Sequence, residues 1–335
     1  MKKYIIVITA VLFTALGCSK AGAPTSATSP TDLYPTPSPT PEMKTFSIGE
    51  RYCDFSPREN FGALESNGRL FVIAGRDVTG CVNDIWYTQD CESWVSLTAK
   101  TAFEARELFN AESYNDRVFI TGGGNRNAYY DDTWCLSGGV TLTAVPVALP
   151  YSPRAAAGSA VWKDALIITG GADSKNSFND VWSLNLRDPK TWVKLKENSD
   201  KGFKPRSGHR TLNFSGKLWV MGGKLQDNTL VNDVWSSENG VDWKLVTPTA
   251  GFTPRENFGA VVYKDRMWVT GGENSTGGCE SDIWWSINGY YWVSTTAKAA
   301  FGGREGFAAA QYQGKIWIIG GRDKDKMKRD IWSGQ

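Results

Sequence analysis

Hydrophobic and polar positions alternate along most of this chain in short runs that suit strands rather than helices. Phe61-Gly62-Ala63-Leu64 is small and apolar, as an inner strand needs where space is scarce, and Asn67-Gly68 follows as a hairpin turn because both residues tolerate positive φ. Leu70-Phe71-Val72-Ile73-Ala74 is β-branched and aromatic and reads as a strand buried on both faces, ended by Gly75. After a polar loop, Asp84 to Thr88 predicts a third strand, Asp90 to Ser93 a turn, and Trp94 to Thr98 a fourth. Four antiparallel strands in about 49 residues make one blade of a β-propeller.

The same pattern recurs six times. Arg58, Arg106, Arg154, Arg206, Arg255 and Arg304 follow one another at spacings of 48, 48, 52, 49 and 49. Each is followed 17 residues later by a glycine, namely Gly75, Gly123, Gly171, Gly223, Gly272 and Gly321. An aspartate comes next (Asp84, Asp132, Asp180, Asp233, Asp282, Asp330), and two residues beyond each stands a tryptophan, from Trp86 to Trp332. Self-similarity at a fixed period is the mark of a repeat architecture. The expectation is an all-β, six-bladed propeller over residues 44–335. The last repeat stops at Gln335 after its third strand, and Lys44-Thr45-Phe46-Ser47-Ile48 is expected to supply the missing outer strand and close the ring.

A Gly-Gly pair after a hydrophobic strand, a variable loop, then Asn-Asp-Val-Trp (Asn179 to Trp182, Asn232 to Trp235) resembles the kelch repeat of propellers like the central domain of galactose oxidase. The resemblance implies that the face carrying the loops after Gly-Gly is the ligand surface, extending to Arg76, Asp77, Tyr129, Tyr130, Lys224, Glu273 and Arg322. Ser237 to Trp243 and Ser286 to Trp292 also resemble the Asp-box of sialidases, one residue short, which implies a structural hairpin and no sialidase chemistry. Blade two departs from the pattern, with Ser137-Gly138-Gly139 in place of that turn.

Composition supports the all-β reading: 15 Trp, 35 Gly and 13% aromatics suit short strands packed by large rings and joined by tight turns. The net charge of +2 gives no reason to expect nucleic acid as a partner. At the N-terminus, Lys2 and Lys3 precede an apolar run from Tyr4 to Leu16, too short for a membrane span and typical of an export signal. Ala15-Leu16-Gly17-Cys18 resembles the bacterial lipobox, which implies removal of residues 1–17 and acylation of Cys18. Residues 18–43, rich in Pro, Ser and Thr, read as a tether. Ser19 after the cysteine, rather than Asp, points to the outer membrane or cell surface, with a periplasm-facing position as the alternative. The partners expected are the lipid membrane through Cys18 and a protein or acidic glycan, for a monomeric chain.

Candidate chemistry is sparse. His209 is the one histidine and stands where other blades have Phe61, Phe109, Ala157, Phe258 and Phe307, so it reads as a packed ring. The copper site of galactose-oxidase-like enzymes needs two histidine ligands, and no transition-metal spacing appears, so no metal or cofactor is expected. Beyond Cys18 the cysteines are Cys53, Cys81, Cys91, Cys135 and Cys279; Cys53 and Cys81 lie in loops of one face and form the preferred disulfide. Glu59, Glu107, Glu256 and Glu305 follow four of the repeat arginines and read as partners of neighbouring arginines, with no acid–base pair standing out. The six arginines Arg58, Arg106, Arg154, Arg206, Arg255 and Arg304 are expected around the channel mouth, and each also reads as a structural ion pair or hydrogen-bond hub between blades. Blades three and four lack the glutamate yet carry Arg154, Lys204, Arg206, Arg210 and Lys224, which makes Arg154 and Arg206 the expected anchors for an anionic group.

With no catalytic constellation, the reading is a tethered binding or scaffolding module that recognises a protein or glycan through one propeller face. The alternative is a periplasmic sugar-processing enzyme similar to the kelch-type N-acetylneuraminate epimerase.

Overall fold

The computed structural model describes residues 47–98, 102–296 and 298–335. Within them lie six four-stranded antiparallel sheets in chain order, one per repeat, and no helix. In blade one Gly62–Ser66 pairs with Arg69–Asp77, which pairs with Gly80–Thr88, which pairs with Val95–Thr98. The innermost strands of the six blades contact one another around the ring, the first meeting the last. The fold is the six-bladed propeller expected.

Closure also follows expectation, with a shift in register. Ser47–Tyr52 pairs antiparallel with Asp330–Gly334, Tyr52 opposite Asp330 and Ser47 opposite Ser333, and forms the fourth strand of the last blade. Lys44, Thr45 and Phe46 of the expected strand lie outside the described residues, as do Cys18 and the rest of the leader and tether.

Second strands read as continuous apolar runs because each blade packs against a neighbour on both sides. Leu70 and Val72 join a core cluster with Ala308, Ala310 and Tyr312 of blade six, whereas Phe71 and Ile73 pack with Val118 and Ile120 of blade two. A similar cluster fills every junction between blades. Each such side chain contributes roughly 1.5–3 kcal/mol on burial, so the junctions carry most of the stabilisation.

The hairpins between first and second strands have two successive residues at positive φ, as in Asn67 (52°) and Gly68 (69°). That is the turn whose twist matches antiparallel strands. Lys163-Asp164 and Lys264-Asp265 adopt it without glycine. At the turns between third and fourth strands, Asn239 Oδ1 accepts from the amides of Val241 and Asp242, and Trp243 Nε1 donates to the Gly240 carbonyl. Asn288 and Trp292 repeat these contacts, so the Asp-box-like segments are self-contained hairpins.

Candidate functional site

The repeat arginines lie inside the blades. Arg255 is fully buried, and its Nη1 and Nη2 donate to Asp282 Oδ1 at 2.6 Å and Oδ2 at 2.7 Å. Nη1 also reaches the carbonyl of Gly271 at 2.8 Å, and Nε the carbonyl of Thr253 at 3.0 Å. Trp284 Nε1 donates to the same Asp282, which explains why aspartate and tryptophan recur two residues apart. The five other blades repeat the hub, pairing Arg58 with Asp84, Arg106 with Asp132, Arg154 with Asp180, Arg206 with Asp233 and Arg304 with Asp330. Burial alone would raise the carboxyls of Asp132 and Asp330, but Arg106 and Arg304 outweigh it and hold both below the usual range.

One contributor to the hub has no counterpart in the repeat as first read. An aromatic ring stands three residues before every arginine, at Phe55, Phe103, Tyr151, Phe203, Phe252 and Phe301, with the guanidinium 4.7–5.7 Å from its centre. The second glycine of each pair is required by the same packing. Gly272 has φ +96°, and a Cβ there would lie 2.6 Å from Phe258 Cβ.

This geometry corrects the expected ligand anchors. Arg154 and Arg206 are 4% and 0% exposed and spend their donors on Asp180, Asp233 and the carbonyls of Gly170 and Gly222. Arg58, Arg106, Arg255 and Arg304 are likewise at 0% exposure, so none of the six presents a free fork to solvent. The preferred disulfide is corrected too. Cys53 and Cys81 are both free thiols: Cys53 is buried with Phe55 and Trp94 between blades six and one, and Cys81 donates to Glu107 Oε1 at 3.7 Å. Burial and the nearby carboxylates push the Cys81 and Cys279 thiols up to about 11, which keeps them protonated at neutral pH. His209 is a buried ring bonded to Thr169 Oγ1 at 2.9 Å, and burial beside Arg206 and Arg210 holds it neutral.

Around the channel mouth runs a closed ring of six backbone hydrogen bonds. The amide of Leu108 donates to Asn60, Ala156 to Leu108, Gly208 to Ala156, Asn257 to Gly208, Gly306 to Asn257, and Asn60 back to Gly306. All six residues have positive φ. Outside this ring, the residue after Gly-Gly in one blade reaches the residue after the arginine in the next: Arg76 to Glu107 (3.4 Å), Lys224 to Glu256 (2.8 Å) and Arg322 to Glu59 (3.6 Å). The glutamates are thus cross-blade partners of cations, with one exception. Between blades five and six the cation is replaced by Glu273, which shares a hydrogen bond with Glu305; burial and that neighbour raise Glu305 to about 7. Of the other residues expected on this face, Asp77 accepts from Ser56 and Thr79, and Tyr130 stacks 4.3 Å from Arg106.

Over blades two and three the charged rim stops, at Gly124, Ala155, Ala172 and Ser207. Between blades one and two the loops open a cleft of about 200 Å³ lined by Arg76, Cys81, Ala105 and Asn125 to Asn127, and Tyr129, outside that lining, is exposed further along the same loop. Inside the ring lies the channel itself, a cavity of about 540 Å³ lined by the innermost strands. Its lining includes three charged residues: Glu65, Arg210, which the sequence places in the basic sector of blades three and four, and Glu112, which the repeat alone does not single out. Burial raises Glu112 to about 7, partly offset by the hydroxyl of Ser159 donating at 2.7 Å.

Glu112 and Glu305 make a pH prediction. Both bind protons more tightly folded than unfolded, so between pH 4.5 and about 7 the folded chain holds more protons and loses stability as pH rises. The contribution is full below 4.5 and gone once pH has passed about 7. Denaturant titration of Glu112→Gln/Glu305→Gln is expected to show a flatter stability profile in that window; an unchanged slope would mean that both carboxyls ionise normally.

No curated protein matches the chain. A family model described as a beta propeller domain matches residues 83–285 and 216–335, in keeping with the propeller fold. On that match, the chain belongs to the DUF6242 beta propeller domain family.

Proposed function

We propose that this chain is a lipid-anchored, kelch-type binding module that holds its propeller off a bacterial outer membrane or cell surface and recognises a glycan or protein through the face carrying the Gly-Gly loops. Residues 1–17 serve as its signal, acylated Cys18 as its anchor and residues up to 43 as its tether. Two or more acyl chains suffice for stable anchoring, each buried CH₂ contributing about 0.8 kcal/mol. The observation that carries the recognition step is the cleft between blades one and two. The exposed Arg126 and Asn127 line it and Tyr129 (38% exposed) follows on the same loop, whereas the hub arginines are consumed within the blades. An exposed aromatic ring beside a guanidinium and amides suits stacking on a sugar and pairing with an acidic group.

An array of acidic and neutral glycans tests this. The full chain is expected to retain acidic glycans, and Tyr129→Ala/Arg126→Ala to lose at least tenfold in affinity with its unfolding unchanged. Each charge-assisted bond contributes about 1.5–3 kcal/mol. Retention of no glycan, or a variant that binds like the parent, contradicts the reading. Anchoring is tested separately: Cys18→Ala is expected to leave the membrane fraction, and its persistence there after a salt wash would place the anchor elsewhere.

A further inference from the structure

The innermost strands contribute mostly small and apolar side chains to the channel; of the three ionic groups that break that pattern, Glu65 accepts from the Gly68 amide in its own hairpin, and Arg210 and Glu112 remain. Arg210 stands where blades one, three and five have Gly62, Gly158 and Gly259; Glu112 stands where the other blades have Leu64, Ala160, Leu212, Val261 and Ala310. Arg210 directly follows His209 and lies two residues beyond Gly208 of the backbone ring, so its guanidinium sits just inside the mouth. Its Nε donates to the Phe258 carbonyl at 2.5 Å, and the Phe258 ring lies 5.8 Å away. Among the described residues its two terminal nitrogens have no hydrogen-bond partner. Burial lowers the guanidinium to about 10, with no carboxylate near enough to oppose that shift, and the group stays charged at neutral pH.

Each of the six repeat arginines has its aspartate, whereas the guanidinium of Arg210, half-buried at the channel, has no carboxylate partner. A counter-charge from outside the chain would complete the pattern. We propose that the central channel binds a small organic carboxylate of sugar-acid size, its carboxylate held by both terminal nitrogens of Arg210 and its hydroxyls reaching Glu112 and Ser159 deeper in the channel. The guanidinium fork matches a carboxylate in two parallel bonds. The cavity volume falls within the range of small-molecule sites, about 300–1,000 Å³. Glu112 in blade two stands two positions further along its strand than Arg210 does in blade four, and a strand rises about 3.3 Å per residue. This site is distinct from the cleft at blades one and two and does not rest on it.

Calorimetry on the full chain with D-glucuronate, D-glucose and inorganic phosphate tests the site. Glucuronate is expected to bind saturably, glucose and phosphate far more weakly. Arg210→Gly restores the residue that three blades already carry, so it fits the fold, and is expected to weaken glucuronate at least tenfold. Arg210→Lys keeps the charge without the fork and is expected to fall between. Adding Arg210→Gly to Tyr129→Ala/Arg126→Ala is expected to weaken the glucuronate binding that remains there by the same factor of at least ten, which separates this site from the outer cleft. Absence of glucuronate binding, equal binding of glucose or phosphate, or undiminished affinity in Arg210→Gly would overturn the proposal.

Discussion

Replacing Arg255 with alanine is expected to lower the free energy of unfolding by about 3–5 kcal/mol, the loss typical when one member of a buried ion pair is removed. The size follows from what stays behind. Asp282 is 7% exposed and would retain only Trp284 as a side-chain donor, while the carbonyls of Gly271 and Thr253 would lose theirs. The Phe252 ring, 5.5 Å from the guanidinium, would face a void. Lysine cannot span Asp282 and Gly271 together, so Arg255→Lys should recover only part of the loss. Arg255→Met with Asp282→Leu removes both charges and should cost less than the single alanine change, because no orphaned carboxylate remains. Urea unfolding of the three variants checks this ordering. A loss under about 1 kcal/mol for Arg255→Ala would mean that the hub contributes no more than an exposed pair.

A chain beginning at Cys53 is expected to unfold with several kcal/mol less stability and to associate at high concentration. Without Ser47–Tyr52 the ladder along Asp330–Gly334 is left open, and an open edge pairs with other chains. The ring would not spring apart, since the Asn60 amide still donates to Gly306 and the core between blades six and one remains. A synthetic peptide of residues 44–52 should therefore bind the shortened chain and restore its stability, by adding a strand to the exposed edge. Thermal unfolding and light scattering read both effects. Equal unfolding temperatures and a monomeric shortened chain would show that the closing strand is dispensable.

Much of this architecture was legible in the sequence because each repeated residue meets a need that other residue types fail. The second glycine of each pair needs positive φ and room for the ring at positions such as Phe258; the aspartate needs two oxygens for a guanidinium and one for an indole. The hub's direction was not legible. Spacing shows that Arg255 and Asp282 recur together, but not that the third strand carries the aspartate back against the arginine and turns it away from the channel. The aromatic residue three before each arginine keeps a fixed offset and could have been found by starting the repeat a few residues earlier, with Tyr151 in one copy and Phe in the others. The channel position of Glu112 and Arg210 was not legible for a related reason, although Arg210 already stood among the basic residues of blades three and four. Polar exceptions in short strands are common, and alternation does not say which of two buried faces borders the channel. Cys53 and Cys81 share a face in the loop reading, yet Cys53 turns into the core beneath Phe55 while Cys81 stays beside Glu107.

The repeat arginines hold the fold, and other surfaces hold ligand. Acidic-glycan affinity measured beside unfolding free energy, for Arg255→Lys and for Tyr129→Ala/Arg126→Ala in the full chain, tests that division most directly. The predicted result is a crossing: the hub variant loses stability but binds, when still folded, as the parent does, and the cleft variant keeps its stability but loses at least tenfold in affinity. A folded hub variant that loses the glycan, with a cleft variant that keeps it, would contradict the account and return the repeat arginines to the ligand.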